Sequence, residues 1–267
     1  MQGSVAGPAS TADDQTGPNQ PAGPGPIKAY MNWSGGKDSA LCLHRALQDP
    51  SIRVDSLLTN FSSYPEGADP WGGPGGDRVA MHGVRRDLMT AQAAAIGIPM
   101  ETIELPEQPG MPEYEAAMGK KINALKARGC DHALFGDIFL EDLRAYREEK
   151  LRSQEIRCLF PLWKVPSRQL MAEFLDLGFK AIVVCVNARW LDRSFCGRMI
   201  DPSFVRDLPE NVDPCGENGE FHSFVFDGPI FRFPVIFEKG KFVYKEHKAP
   251  QASEPPAGFY FCDLIHL

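Results

Sequence analysis

Apolar residues at Ile27, Ala29, Tyr30, Met31 and Trp33 read as a short buried strand, and Ala40, Leu41, Leu43, His44 and Leu47 then recur at helical spacing. The alternation continues along the chain. Val54–Phe61 predicts a second strand. Leu88, Ala91, Ala94 and Ile96 predict a helix that opens at Met81–Arg86 and stops at Gly97, and Met100–Leu105 a third strand. After a Pro-rich linker at 106–113, Tyr114, Ala117, Ile122 and Leu125 mark a helix ended by Gly129. His132–Ile138 is the predicted fourth strand, Glu141–Arg152 a charged helix, and Ile156–Trp163 a fifth strand leaving through Pro161. Strands alternating with helices over 27–163 predict an α/β fold, a parallel sheet with helices on both faces. From about residue 164 the spacing becomes irregular. A helix capped by Ser167 carries Leu170, Met171, Phe174 and Leu175 to Gly178, and Lys180–Asn187 is the most apolar run of the chain. Residues 63–78, crowded with Gly and Pro, are expected to lack regular structure, and 249–267 to form a tail.

The turn between the first strand and the first helix reads Ser34-Gly35-Gly36-Lys37-Asp38-Ser39. Adjacent glycines let the backbone turn tightly and bring successive N–H groups close to an anion, and Lys37 adds a point charge. Ser34 and Ser39 supply hydroxyls, Ser39 beside a helix N-terminus that itself favours phosphate. The hexamer is a pyrophosphate cradle. It is neither the G-x-x-x-x-G-K-[ST] loop, whose first glycine position is Met31, nor a G-x-G-x-x-G fingerprint.

Composition narrows the picture. The chain has 267 residues, 43% hydrophobic and 24% charged, enough for one substantial core plus a smaller region. A formal charge of -7 argues against broad binding to a nucleic-acid backbone. Seven cysteines without a C-x-x-C pair fit reduced thiols and a cytoplasmic setting. No apolar run is long enough for a membrane span. The first 26 residues lack the basic and apolar parts of a signal peptide and are expected to be a disordered tail.

Three further places carry candidate chemistry. His82 falls at a loop-to-helix junction on the side of the sheet where the glycine turn lies, with a packing histidine as the alternative. Gly136-Asp137 ends the fourth strand, where a backbone could approach a nucleotide or simply turn. Asp213-Pro214-Cys215-Gly216-Glu217-Asn218-Gly219-Glu220-Phe221-His222-Ser223 packs carboxylates, an amide and an imidazole ahead of the apolar run Phe224-Val225-Phe226. Alternation is expected to put Glu220 and His222 on one side, suited to orienting a nucleophile or taking a proton, against the alternative of a polar hairpin. Arg144 and Glu148, at i and i+4, read on local grounds as a solvated surface pair.

The hexamer resembles the signature of the PP-loop ATP pyrophosphatases, which cleave ATP between the α and β phosphates. With Gly136-Asp137-Ile138, Arg144, Glu148, Pro161-Leu162-Trp163 and Gly216–Phe221 in that order, the chain resembles the diphthine-ammonia ligase family over residues 27–238. The resemblance implies a HUP-type PP-loop domain at 27–163 and a smaller C-terminal α+β domain at 164–248 that helps form the acceptor site. It implies an ATP-dependent ligase that adenylates a carboxylate, diphthine on elongation factor 2 in the family, and amidates it with ammonia. It further implies that Ser34, Gly35, Gly36, Lys37, Asp38, Ser39, His82, Gly136 and Asp137 bind ATP, with Mg²⁺ on Asp38. Arg144, Glu148, Asn218 and Ser223 would face the acceptor, and Lys37, Asp38, Glu217, Glu220 and His222 would carry catalysis.

Asn218, His222 and Ser223 depart from the Glu-Gly-Gly-Glu-aromatic-Glu-Thr pattern usual in the family, standing for its first glycine, last Glu and Thr. These departures fall in the expected acceptor site, so a different carboxylate acceptor stays open. So do a homo-oligomer and a module that senses ATP or AMP without turnover. The length leaves no room for an amidotransferase domain, which makes free ammonia or a separate glutaminase the expected nitrogen source.

Overall fold

The computed structural model describes residues 3, 25–64, 76–79, 82–106, 110–247 and 257–267. The expected N-terminal tail therefore lies outside the described residues, except for 3, 25 and 26. The N-terminal part runs β1 (Ile27–Asn32), α1 (Lys37–Gln48), β2 (Ile52–Tyr64), β3 (Gly76–Val79), α2 (Arg86–Ile96) and β4 (Met100–Pro106). It continues with α3 (Met111–Ala127), β5 (His132–Leu134), α4 (Glu141–Arg152) and β6 (Arg157–Leu159).

β1 is covered on both faces, as a parallel strand between helix layers must be. Ala29 and Met31 pack with Leu41 of α1 and with Leu88 and Met89 of α2. Tyr30 points the other way, into a cluster with Leu58, Ile122 and Leu125 of α3 and Leu151 of α4. β1 pairs in parallel with β2 and β5, β2 with β4, and β5 with β6. The parallel core is thus ordered β4-β2-β1-β5-β6, and the chain switches sides of the sheet between β1 and β5. Ligands of such sheets sit at that switch, beyond the carboxyl ends of the strands.

The expected parallel sheet with helices on both faces forms, but the whole sheet is mixed. β3 pairs antiparallel with the far end of β2, Phe61–Tyr64 against Gly76–Val79. Part of 63–78, expected to be irregular, is therefore strand: β2 outruns β1 and leaves an edge that β3 takes up. The fourth and fifth predicted strands shorten to three residues each, and the 135–140 stretch is left irregular above the sheet. The helix expected from Met81 starts at Arg86.

The C-terminal part contains α5 (Ser167–Asp176), β7 (Lys180–Asn187), α6 (Pro202–Asp207), β8 (Phe221–Asp227), β9 (Phe237–His247) and β10 (Ala257–His266). Its sheet is antiparallel, ordered β8-β7-β10-β9. The expectation of a tail at 249–267 lies outside the described residues over 249–256 and is corrected over 257–267. β10 is an interior strand paired to both β7 and β9, and Phe259, Phe261, Cys262 and Leu264 are buried. The two parts share one apolar core, in which Met31, Leu43 and Met89 join Val183, Phe221 and Phe224. No helix among the described residues is long and apolar enough to cross a membrane.

Candidate active site

A cavity of about 660 Å³ opens at the switch point. The ends of β1, β2 and β5 form its floor through Asn32, Trp33, Asn60, Gly136 and Asp137, and β8 contributes His222 and Ser223.

The Ser34–Ser39 turn forms one wall. Gly35 adopts φ +76°, and a Cβ there would lie 2.8 Å from Gln92 Oε1 and Met89 Sδ, so both conformation and space require glycine. Gln92, fully buried, fixes the turn from behind. Its amide nitrogen donates to the carbonyls of Gly35 and Val225, and its oxygen accepts from Trp33 Nε1 at 3.0 Å. Gly36 caps α1 in extended conformation. The Lys37 N–H donates to Ser223 Oγ at 3.1 Å, and Ser34 and Ser39 hydroxyls lie 3.2 Å apart. At Gly136 a Cβ would meet the Asp38 main chain at 3.0 Å, so the end of β5 can sit against the start of α1 only as glycine.

Charges converge on this turn. The buried Lys37 ammonium pairs with Asp38 Oδ2 at 2.7 Å and donates to the Cys215 carbonyl. Burial alone lowers its pKa, but Asp38, Cys215 and Glu217 outweigh that and hold it above the usual lysine range. Burial pushes Asp38 up, and Lys37 only partly offsets it. Asp137 is likewise raised by burial against the pull of Arg147, 2.8 Å away. Glu217 accepts from the Ile138 N–H at 2.8 Å, tying the 213–223 segment to the Gly136–Ile138 segment. Burial raises its carboxyl to about 7 despite that bond.

His82 and His222 stack with ring centroids 4.2 Å apart and an interplanar angle of 26°. Burial, joined by Lys37, lowers His222 to about 4 and, with His222 as a further cause, holds His82 well below the usual histidine value. Two neutral imidazoles therefore face the cavity at pH 7.

Ser34, Gly36, Lys37, Asp38, Ser39, His82, Gly136, Asp137, Glu217, His222 and Ser223 thus line one cavity. Arg144, Glu148, Asn218 and Glu220 are not part of its lining. Arg144 pairs with Glu148 at 2.9 Å and lies over the Phe160 and Trp163 rings. Glu220 precedes β8, so strand alternation does not govern it. It is buried, accepts from the Asp213 N–H and Asn218 Nδ2, both at 3.0 Å, and braces the 213–220 loop.

Sequence reasoning missed Gln92, Arg147 and the far end of the cavity, where Tyr30, Leu58, Tyr114, Met118 and Ile122 make an apolar wall. Gln92 had one signal: a lone polar residue on the buried face of an Ala-rich helix.

Residues 27–157 match the family described as Diphthamide synthase N-terminal domain, and residues 166–249 match Diphthamide synthase C-terminal domain. The diphthine–ammonia ligase of Bos taurus is 29% identical over 134 residues, 48% of this chain and 49% of that protein. That of Homo sapiens is 28% identical over 134 residues, with the same shares. The Schizosaccharomyces pombe protein of that name is 28% identical over 85 residues, 30% of this chain and 14% of that protein. The chain thus spans about half the length of the two mammalian relatives. Matched in both halves, it belongs to the diphthamide synthase family.

Proposed function

Taking that membership as premise, we propose that the chain is an ATP-dependent, AMP-forming ligase: it adenylates a carboxylate and passes the acyl group to ammonia. The observation that carries this reading is the meeting, in one cavity, of an anion-binding helix start with a carboxylate- and imidazole-bearing segment from the other half of the chain. In this reading the N-terminal part is a HUP-type PP-loop domain.

In this reading the β and γ phosphates rest against Ser34–Ser39, held by main-chain N–H groups, the two serine hydroxyls and the Lys37 ammonium. The adenine lies against the apolar wall around Tyr30, Leu58 and Met118. Asp38, Asp137 and Glu217 offer hard oxygen donors, and Mg²⁺ entering with a triphosphate needs only one or two of them. When bound, Mg²⁺ would neutralise charge on the departing pyrophosphate.

The 213–223 segment aligns the acceptor carboxylate with the α-phosphorus. Glu217, raised to about 7, is matched to take the proton that ammonium must lose before it attacks the acyl-adenylate, while His222 and His82, held neutral, orient the reactants by hydrogen bonds. Diphthine is the acceptor that the relatives' names point to, carried on elongation factor 2 as the family resemblance implies; His222 and Ser223 line the cavity where acceptor choice is made. Reduced cysteines fit a cytoplasmic site of action.

Pyrophosphate release from MgATP, ammonium and a diphthine-bearing acceptor tests the reading. Lys37→Ala should abolish it, and undiminished release would remove Lys37 from its role.

A further inference from the structure

We infer that Asp263, on the C-terminal strand, is the positioning residue that holds His82 over the cavity. β10 slips register against β9 between Cys262 and Leu264, and Asp263 is the residue at that slip. A bulge re-aims its side chain out of the regular ladder. Here the carboxylate, only 5% exposed, accepts from Arg78 Nη1 at 2.8 Å and from Arg85 Nε and Nη2 at 3.0 and 2.6 Å. Arg78 belongs to β3 and is itself buried, while Arg85 caps the start of α2. One carboxylate thus ties together the strand that precedes the turn at 82–85 and the helix that follows it.

His82 sits in that turn. The same Arg78 nitrogen donates to the Gly83 carbonyl at 2.9 Å, one residue from His82. By contrast, Nδ1 of His82 is buried with no hydrogen-bond partner among the described residues. The imidazole rests on His222 by stacking, so its place is set by its backbone; main-chain bonds from Gly83 N–H to the Val79 carbonyl and from Val79 N–H to the Val84 carbonyl close the turn, and the Arg78–Asp263–Arg85 cluster anchors that turn to β10. Asp263 touches neither the cavity nor His82; it acts through two arginines and a carbonyl. The consequence for turnover rests on the reading under Proposed function, whereas the positional claim does not.

The test uses the full chain and the ring-proton resonances of its histidines, assigned with His82→Gln and His222→Gln. Stacked imidazoles shift each other's signals, so Asp263→Asn should move both resonances toward free-histidine positions while the protein stays folded. In steady-state assays it should lower kcat, by as much as about 100-fold if His82 is displaced by an ångström, with KM for MgATP unchanged. Resonances that stay put in a folded Asp263→Asn protein overturn the inference. If that variant does not fold, Arg85→Gln, which keeps the Arg78–Asp263 pair, decides by the same signals; a chain that fails to fold there too makes the cluster a folding element and also overturns it. Absence of turnover in the unmodified chain with moved resonances in the variant would sink the proposed reaction and leave the positioning role standing.

Discussion

The main-chain N–H of Lys37 donates to the side-chain oxygen of Ser223, 3.1 Å away and 186 residues along the chain. The first turn of α1 is therefore capped by a hydroxyl from the second sheet. The Ser34–Ser39 turn and the 213–223 segment form one piece of structure, and each half positions the other.

Ser223→Ala leaves the Lys37 N–H without its partner in a buried setting. The expected loss is about 1 kcal/mol, read as a lower urea midpoint at unchanged m-value. Ser223→Thr keeps the oxygen and should unfold near the parent midpoint.

Gly136→Ala places a methyl 3.0 Å from the Asp38 carbonyl carbon and 3.1 Å from the Ser39 nitrogen. Both contacts are main chain, so no flexible side chain can yield and the start of α1 must move. Calorimetry with MgATP should show affinity reduced by about tenfold or more, equivalent to about 1.4 kcal/mol, in a chain that still folds.

Gln92→Leu deprives the Gly35 and Val225 carbonyls and the Trp33 indole of one shared partner. An unsatisfied buried group costs about 1–3 kcal/mol, so the variant should lose roughly 3 kcal/mol in chemical denaturation. It should bind nucleotide more weakly because the Gly35 carbonyl then keeps only its bond from the Val225 N–H.

His222 titrates at about 4 in the folded chain, below the ordinary histidine value of about 6.5. The unfolded chain then holds more protons between those limits, so the His222 contribution to stability is present above about 6.5 and is lost as pH falls toward 4. Glu217, raised to about 7, acts in the opposite sense, since its proton favours the folded chain as pH falls. Urea midpoints of the parent and His222→Gln separate the two: the parent's advantage should shrink steadily from pH 7 to pH 4. An advantage that is flat with pH would show that the imidazole is not held neutral.

What was legible beforehand depended on whether the cause was local. The Ser34–Ser39 turn could be read because its glycines, lysine and hydroxyls lie together in sequence and the flanking periodicities place them. The strand β10 could not, because Ala257–His266 follows a Pro-containing stretch and becomes a strand only by pairing with β7 and β9. Its alternating Phe259 and Phe261 were the available signal. β3 was hidden for the same reason, since the strand it pairs with is the overhang of β2. Glu220 and Glu217 look alike in sequence, yet one braces a loop and the other reaches Ile138 across the cavity, a difference set by where β8 begins. Gln92 was missed because nothing in an Ala-rich helix says that a remote carbonyl of Val225 awaits its amide.

The claim on which the rest depends is that the turn ahead of α1 grips the phosphates that leave. Phosphorus-31 NMR of MgATP turned over by the intact chain, with ammonium and a diphthine-bearing acceptor, reads the cleaved bond directly. The account predicts AMP and pyrophosphate in equal amounts, both absent with Lys37→Ala. Formation of ADP and inorganic phosphate, or AMP formation that survives Lys37→Ala, would contradict it.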